Sequence, residues 1–248
     1  MAAQDAQFDA DDFCGRARVF PLPNLVFFPH ALQPLHIFEP RYREMMEDAL
    51  AGDRLIALAV LAPGWEDDYE GRPPVYPVAC LGRVATYRKL DDGRYNLLLQ
   101  GLGRVGLGEE IQPQRSFRMA RAELLPDRYD SVGDGQRGEL HARLSAAMRA
   151  AVERYPSAAK PFEPILNASV SLGTLTDLLA FSLDLSMEAK LRLLGELDVD
   201  RRAEMLAGPL EAALREPKRP VMPEGPFPPD FSANSTVCPL ARSLDLHL

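Results

Sequence analysis

The first half of the chain alternates short apolar runs with prolines and polar residues, as extended segments do. Residues 19–38 interleave apolar side chains with four prolines, which favours short edge strands and excludes a helix. Tyr42 and Met45 then begin a helical spacing behind Pro40, a residue that suits the first turn of a helix. The pattern predicts one helix over residues 40–51.

Short β-rich runs follow from residue 54 onward, separated by clusters of Gly, Pro or Asp. Between two of these runs stands the turn Asp91-Asp92-Gly93, which predicts a hairpin because Gly and Asp tolerate a positive φ. Strands that close on one another through such hairpins predict a small barrel or sandwich.

The pattern becomes helical after about residue 130. Thr174 and Ser186 each precede an apolar helical stripe and are predicted to cap helices at their N-termini. The pair Gly208-Pro209 is predicted to break or kink the last helix. An earlier helix is predicted from apolar residues at steps of nearly four, which are Leu140, Leu144, Met148, Val152 and Tyr155.

These patterns divide the chain into four segments. Residues 1–15 are polar and acidic and are predicted to form a flexible leader. Residues 16–130 form a β-rich subdomain, and residues 131–215 form a small helical bundle. Residues 216–248 are rich in proline and are predicted to be extended or disordered.

Composition and charge exclude several classes of function. A hydrophobic content of 46% in 248 residues can fill a real core. A net charge of −8 argues against nucleic acid as a partner, because binding to phosphates rests on clustered Lys and Arg. The longest apolar run, from Leu55 to Ala62, is too short to span a membrane.

The N-terminus and the cysteines predict a cytoplasmic location. Four aspartates precede the first basic residue, whereas a secretory signal begins with basic residues and then an apolar stretch. Cys14, Cys80 and Cys238 lie far apart and include no C-x-x-C pair. They are predicted to be free thiols rather than disulfide or zinc ligands.

Motifs of enzymatic chemistry are not found. The sequence contains no G-x-x-x-x-G-K-[ST] loop for ATP and no G-x-S-x-G elbow for a serine nucleophile. The glycine-rich segment at residues 101–110 lies among strands, where turns or bulges explain it better than a dinucleotide loop. His30 and His36 with Cys80 or Glu39 are interpreted as structural residues rather than metal ligands. We therefore predict no catalytic residue, no cofactor and no metal.

Three blocks of sequence carry a resemblance to a known family. The first contains FPLPNLVFFP at residues 20–29 and PLHIFEPRYR at residues 34–43. The second contains CLGRV at 80–84, DGRYN at 92–96 and LLQGLGR at 98–104, and the third contains LTDLLA at 175–180 and DVDRR at 198–202. In this order, the blocks strongly resemble the N-terminal domain of Lon proteases.

This resemblance implies an α+β fold, with a β-rich, barrel-like (PUA-like) N-terminal subdomain and a helical-bundle C-terminal subdomain. It also implies a role in recognising unfolded or tagged polypeptides, as an adaptor or sensor, with a separate protease as a further candidate partner. The ATPase and Ser/Lys peptidase domains of Lon proteases have no counterpart in this sequence, so their chemistry is not carried over. Two alternatives stay open, a small-molecule-binding regulatory protein and, less favoured, a small hydrolase.

Edge hydrogen bonds and apolar pockets are the means by which such a domain holds an extended polypeptide. We interpret Phe38 and Tyr42 as core residues, and Trp65 either as packed under its loop or as an exposed anchor. Two neighbouring residues of a strand face opposite sides, so one of Phe27 and Phe28 is expected to be exposed. The candidate polypeptide-binding residues are Phe27, Phe28, Phe38, Arg41, Tyr42 and Trp65.

Overall fold

The structure, a computed structural model, describes residues 13–112, 114–130, 133–154 and 170–215. The chain consists of two compact units, Met1–Leu125 and Pro126–Leu248. The proline-rich tail and residues 1–12 of the predicted leader lie outside the described residues, as do Tyr155 and Cys238.

The described residues of the first unit form six strands and one α-helix. In chain order these are β1 (Arg16–Leu22), β2 (Leu32–Ile37), α1 (Pro40–Ala51), β3 (Leu55–Val60), β4 (Val78–Lys89), β5 (Tyr95–Glu110) and β6 (Arg118–Leu125). A 3₁₀ turn at Trp65–Asp68 lies between β3 and β4. Helix α1 begins at the proline that the sequence indicated and buries Tyr42, Met45, Met46 and Ala49.

One mixed sheet contains all six strands in the order β2-β5-β4-β3-β1-β6. The pair β1–β3 is parallel, and the other pairs are antiparallel. Strand β5 is long enough to pair with β2 through its first half and with β6 through its second half, so the pairings close on themselves. The α+β class is confirmed, with a mixed sheet that closes through β5 rather than a regular barrel.

Two prolines lie within strands, at positions where the lost N–H removes no ladder bond. Pro34 is on β2, which pairs only with β5 among the described strands. Pro21 is in the part of β1 that pairs with β3, while β6 reaches only residues 16–19. The prediction of short edge strands is therefore right for β2 and wrong for β1, which has neighbours on both sides.

The predicted hairpin is confirmed at residues 91–93. Gly93 has φ 83°, and the Leu90 amide donates to the Arg94 carbonyl at 2.8 Å, closing β4 onto β5.

The glycines of residues 101–108 lie on β5, and the register between β4 and β5 shifts beside Gly82 and Gly101. The interpretation of this segment as strand and bulge, not dinucleotide loop, agrees with the structure.

The second unit is helical over its described residues. Its helices are α2 (Asp134–Arg154), α3 (Leu172–Ser182), α4 (Met187–Gly195) and α5 (Val199–Arg215). Helix α2 buries Leu140, Leu144 and Met148, three positions of the predicted stripe.

The cap and breaker predictions for these helices have different outcomes. Ser186 caps α4 as predicted, since its hydroxyl accepts from the Ala189 amide at 3.1 Å. Thr174 is not a cap: Ser171 accepts from the Thr174 amide at 3.1 Å, because α3 begins one turn earlier than its leucine pattern indicated. Pro209 does not break α5, which continues to Arg215 with buried leucines on both sides of the proline.

A buried arginine connects the start of the second unit to α5. The Arg202 side chain is 1% exposed and donates to both carboxylate oxygens of Asp127, at 2.8 and 2.9 Å. It also donates to the Glu196 carbonyl at 2.9 Å and lies 3.7 Å from the buried carboxylate of Asp177. Buried charges are tolerated only when paired in this way.

Candidate functional site

The solvent-facing side of β2, the first half of β5 and the last half of β4 form a surface of apolar and polar side chains, which we call the outer face. Phe38 and Leu32 are 59% and 52% exposed there. They have the largest exposed fractions among the large hydrophobic residues that the structure describes. Its members are Leu32, Pro34, His36, Phe38, Thr86, Arg88, Asn96, Leu98 and Gln100.

Strand register brings these side chains together. Pro34 lies opposite Leu98, and Leu98 lies opposite Thr86, so the three form one row across β2, β5 and β4. Paired residues of antiparallel strands place their side chains on the same side of the sheet. The burial of β2 alternates in step, with its odd-numbered side chains in the core and Leu32 and Pro34 exposed.

Polar groups lie among these apolar side chains. The His36 ring lies 6.1 Å from the Phe38 ring, and its Nδ1 is 2.6 Å from Asn96 Oδ1. Arg94 lies beside His36, with its guanidinium 3.4 Å from Nε2, and pairs with Asp92. Exposed apolar side chains with polar groups between them suit the docking of an extended chain through both its side chains and its backbone.

A second feature of the first unit is a pocket of about 300 Å³ beside α1. Its wall combines prolines, aromatic rings and guanidinium groups. It is lined by Pro21, Arg41, Tyr42, Leu61, Tyr69, Glu70, Gly71, Arg72, Pro73, Gln114, Ser116, Phe117 and Arg118. This volume suits a small molecule or one large side chain better than an extended chain.

Arg41 lies between two tyrosine rings in this pocket. Its guanidinium carbon is 4.8 Å from the Tyr42 ring centre and 5.0 Å from that of Tyr69. Glu39 accepts from Arg41 Nε at 3.0 Å, with Nη2 2.9 Å away, and from the Tyr69 hydroxyl at 2.7 Å. The Tyr69 carbonyl also accepts from Arg41 at 3.3 Å. These bonds occupy all three guanidinium nitrogens and hold the group in place.

Burial changes the acidity of the pocket's tyrosines. It raises the pKa of Tyr42 far above its usual value near 10, although the positive charge of Arg41 acts in the opposite direction. The pKa of Tyr69 is also raised, first by burial and then by its hydrogen bond to Glu39. Both phenols are therefore neutral across the physiological pH range.

We expect the stability of the first unit to fall above about pH 10 through Tyr42. The unfolded chain loses this proton more easily than the folded one, so the contribution is fully present below pH 10 and declines as pH rises. The free energy of unfolding should fall by at most about 1.4 kcal/mol for each pH unit. Urea unfolding followed by Trp65 fluorescence at increasing pH measures this dependence, and Tyr42→Phe should make the stability depend less on pH.

The matched control is Tyr87→Phe, because the Tyr87 ring is 45% exposed. In this variant, the free energy of unfolding should fall with pH as it does in the unchanged protein. An equal fall in Tyr42→Phe and in the unchanged protein would show that another group governs alkaline unfolding.

Phe27 and Phe28 are both buried, at 1% and 0% exposure. The expectation that one of them is exposed is wrong, because residues 25–28 are not part of a strand and the alternation of strand side chains does not apply. Neither ring is presented to a partner at the surface.

The other four candidate residues lie in two places. Phe38 belongs to the outer face, so its interpretation as a core residue is wrong: it continues the exposed side of β2 just beyond the strand. Tyr42 is core, as interpreted, and lines the pocket with Arg41. Trp65 is half-buried and makes an edge contact with the pocket residue Tyr69, with ring centres 5.7 Å apart. The sequence thus brings Arg41, Tyr42 and Trp65 near one pocket and leaves Phe38 on another surface.

The sequence reasoning missed Leu32 and Leu98 on the outer face and Tyr69 in the pocket. A signal for the first existed in the alternation of residues 32–37, whose even positions can share one side with Phe38. Leu98 and Tyr69 carried no comparable signal, because cross-strand register and loop packing bring them into place.

The described part of the chain contains neither a cluster of metal-binding side chains nor a membrane-spanning helix. No group of three or more His, Cys, Asp or Glu residues within it could hold a metal ion. Its helices include none with both the length and the apolar character needed to cross a bilayer.

Comparison with known proteins adds to this geometry. The sequence model of the ATP-dependent protease La (LON) substrate-binding domain matches residues 16–211, which include the outer face and the pocket. The chain belongs to this family. As a Lon substrate-binding domain it combines both units, since the match extends from β1 into α5.

Lon proteases are among the relatives of this Lon substrate-binding domain. The Lon protease of Anaeromyxobacter dehalogenans is 27% identical over 188 residues, covering 76% of the chain and 22% of that protease. The Lon protease of Heliobacterium modesticaldum is 28% identical over 196 residues, covering 76% and 23%. The chain thus spans less than a quarter of the length of these relatives.

Solved structures show the same fold. A Lon N-terminal domain protein from Xanthomonas campestris aligns with a TM-score of 0.57 at 21% identity, covering 78% of this chain and 97% of that one. The N-terminal domain of Lon protease from the Mycobacterium avium complex aligns with a TM-score of 0.61 at 16% identity, covering 78% and 96%. At these identities the similarity concerns the fold of the Lon substrate-binding domain alone.

Proposed function

We propose that this Lon substrate-binding domain binds apolar segments of unfolded or tagged polypeptides on its outer face and does not cleave them. The observation that carries the proposal is the exposure of Phe38 and Leu32 on one side of a sheet. Large apolar side chains exposed at the two ends of one strand, with Pro34 and Leu98 between them, offer several points of contact to an extended chain.

The family supports a recognition role in this proposal. Its name refers to substrate binding, and the match covers that domain, not an ATPase or peptidase domain. An adaptor or sensor that passes a polypeptide to a separate protease fits these facts. The absence of a disulfide at Cys14 and Cys80 among the described residues fits a reducing compartment such as the cytoplasm, the location that belongs to this proposal.

The pocket beside α1 favours a second candidate, the binding of a small regulatory molecule. Its volume of about 300 Å³ and its mixture of tyrosine rings and guanidinium groups suit a compact ligand with an apolar body and a polar end. Arg41, Tyr42 and Tyr69 would contact such a ligand.

A titration with a labelled, permanently unfolded polypeptide tests the first candidate. Fluorescence anisotropy is expected to show saturable binding, and a gel of the same samples should show the polypeptide intact. Leu32→Asp combined with Phe38→Asp should weaken binding roughly tenfold or more, because two apolar side chains lose their burial in the complex.

Tyr129→Ser is the matched control. Tyr129 is a large hydrophobic residue that is 44% exposed in the second unit, so its removal takes away apolar surface outside the outer face. This variant should bind as the unchanged protein does. Equal binding by the double aspartate variant would rule out the outer face, and no binding by any of the proteins would favour the small-molecule candidate.

A further inference from the structure

The sheet of the first unit leaves two strand edges open among its described residues. The outer edge of β2 has no further strand, because β2 pairs only with β5. The last half of β4 is open on the side away from β5, because β3 pairs only with residues 80–83. The Val84 amide makes the final bond on that side, to the Arg54 carbonyl at 2.9 Å.

The hydrogen-bond pattern determines which backbone groups point away from the sheet. Leu90 donates to Arg94 at 2.8 Å, so Leu90 and Arg94 form a hydrogen-bonded pair. Bonded and non-bonded pairs alternate along an antiparallel ladder, and the register from Leu90 back to Thr86 is regular. The N–H and C=O groups of Tyr87 and Lys89 therefore point outward at the open edge of β4.

The same alternation shows that the edge of β2 is obstructed. Pro34 is one of its outward-pointing residues, and it has no N–H to donate. Its carbonyl already accepts from the side-chain amide of the buried Gln33, at 2.9 Å. An incoming strand would thus find neither partner at the centre of this edge.

The edge of β4 is free of such obstruction. Residues 85–89 are all exposed, and Tyr87 and Lys89 keep their side chains 45% and 52% exposed. Both residues have a backbone N–H and a C=O available for a new neighbour. A strand that pairs here would continue the outer face beyond Thr86 and Arg88.

Charge indicates what kind of strand fits. Arg88 lies on the outer face and makes no ion pair with any residue that the structure describes, while Lys89 beside it pairs with Glu47 at 2.9 Å on the other side. Opposite charges on neighbouring strands stabilise a sheet, and like charges destabilise it. A second copy of this edge would bring the two basic pairs together, so an acidic partner is favoured over self-association.

We infer that an extended polypeptide segment with acidic side chains adds as a strand to the open edge of β4, at residues 85–89. This inference rests on the proposed function and deepens it by naming a mode of binding and a class of segment. Backbone bonds from Tyr87 and Lys89 provide the attachment, and Arg88 selects for acidic residues.

The test uses the full chain and a labelled peptide of alternating valine and glutamate. The Tyr87→Pro variant removes one outward N–H and leaves the bonds between β4 and β5 in place, since residue 87 does not donate to β5. We expect it to bind the peptide about tenfold more weakly. Tyr87→Val, which keeps the N–H and removes the ring, is the matched control and should bind within about twofold of the unchanged protein.

A second measurement uses only the unchanged protein, so it does not depend on the folding of a variant. The same peptide methylated on its backbone nitrogens cannot pair with a strand, and its binding should be lost.

The role of charge is tested with Arg88→Glu. This variant should bind the glutamate peptide more weakly and a peptide of alternating valine and lysine more tightly. Full binding of the methylated peptide, or of the glutamate peptide by Tyr87→Pro, would overturn the inference.

These outcomes separate the inference from the proposed function. In one outcome, the unfolded polypeptide binds and its binding depends on Leu32 and Phe38, while methylation and Tyr87→Pro leave the affinity of the glutamate peptide unchanged. That outcome refutes strand addition alone. If neither the polypeptide nor the peptide binds the unchanged protein, both proposals are overturned. Sedimentation of the free protein as a dimer that Tyr87→Pro dissociates would assign the edge to a second copy and overturn the inference.

Discussion

Replacement of Arg202 by methionine is expected to lower the free energy of unfolding of the second unit by about 3–5 kcal/mol. Methionine has a similar length but no charge, so the buried carboxylate of Asp177 loses its cation. Asp127 loses two hydrogen bonds, at 2.8 and 2.9 Å, and the Glu196 carbonyl loses one. Most of the loss comes from the Asp177 carboxylate, which is 1% exposed and loses the guanidinium 3.7 Å away.

Two spectroscopic signals can separate this effect from a general loss of structure. Four of the five described α-helices belong to the second unit, so far-ultraviolet circular dichroism reports mainly on it. The single tryptophan, Trp65, lies in the first unit and reports on that unit. In urea, the circular dichroism midpoint should fall more than the fluorescence midpoint.

The adjacent arginine provides the control for this experiment. Arg201 is 67% exposed and lies 3.8 Å from Asp198, whose buried carboxylate also accepts from the Asp200 amide at 2.9 Å. Arg201→Met is expected to change stability by less than about 1 kcal/mol. If Arg202→Met lowered the free energy of unfolding no more than Arg201→Met does, the buried ion pairs of Arg202 would not be what stabilises the packing of α5 against the start of the unit.

Gly101→Ala is expected to destabilise the first unit by about 3 kcal/mol. A Cβ atom at this position would lie 2.1 Å from the Phe28 carbonyl oxygen and 3.0 Å from its carbon. These are backbone atoms, and Phe28 is completely buried, so the overlap cannot be relieved by turning a side chain. The Gly101 amide also donates to the Ala31 carbonyl at 2.9 Å, which ties β5 to the segment that leads into β2.

Gly103→Ala is the matched control on the same strand. A Cβ atom there meets no atom within 4 Å, so the change should alter stability by about 0.5 kcal/mol or less. Urea unfolding followed by Trp65 fluorescence measures both variants. Because Gly101→Ala moves the segment before β2, it should also weaken polypeptide binding at the outer face, whereas Gly103→Ala should not. Equal stability of the two variants would contradict the close packing at Gly101.

Local sequence patterns predicted the regular elements well. The helix at Pro40–Ala51 matches the range that its apolar spacing indicated, and the turn before Gly93 is the predicted hairpin. Such features depend on residues within a few positions of each other, and the sequence displays these directly. The resemblance to Lon proteases is likewise confirmed by the family match over residues 16–211.

The candidate site was predicted less well. Phe27 and Phe28 are buried because they lie in an irregular segment whose side chains follow no period. Phe38 is exposed because β2 continues its alternation past its last paired residue. Ser171 replaces Thr174 as the cap because the apolar stripe of α3 begins at Leu172, one turn before the leucine from which the cap was predicted.

The sequence by itself determined the α+β class, the family and the helices and hairpin that local spacing specifies. Only the tertiary structure decided which strand edge is open and which arginine is buried. Arg202 meets Asp127 across 75 positions of sequence, and the state of the β2 edge depends on the side chain of Gln33 and on pairing with β5. Burial and pairing are properties of residues that the fold brings together, and no short period in the sequence records them.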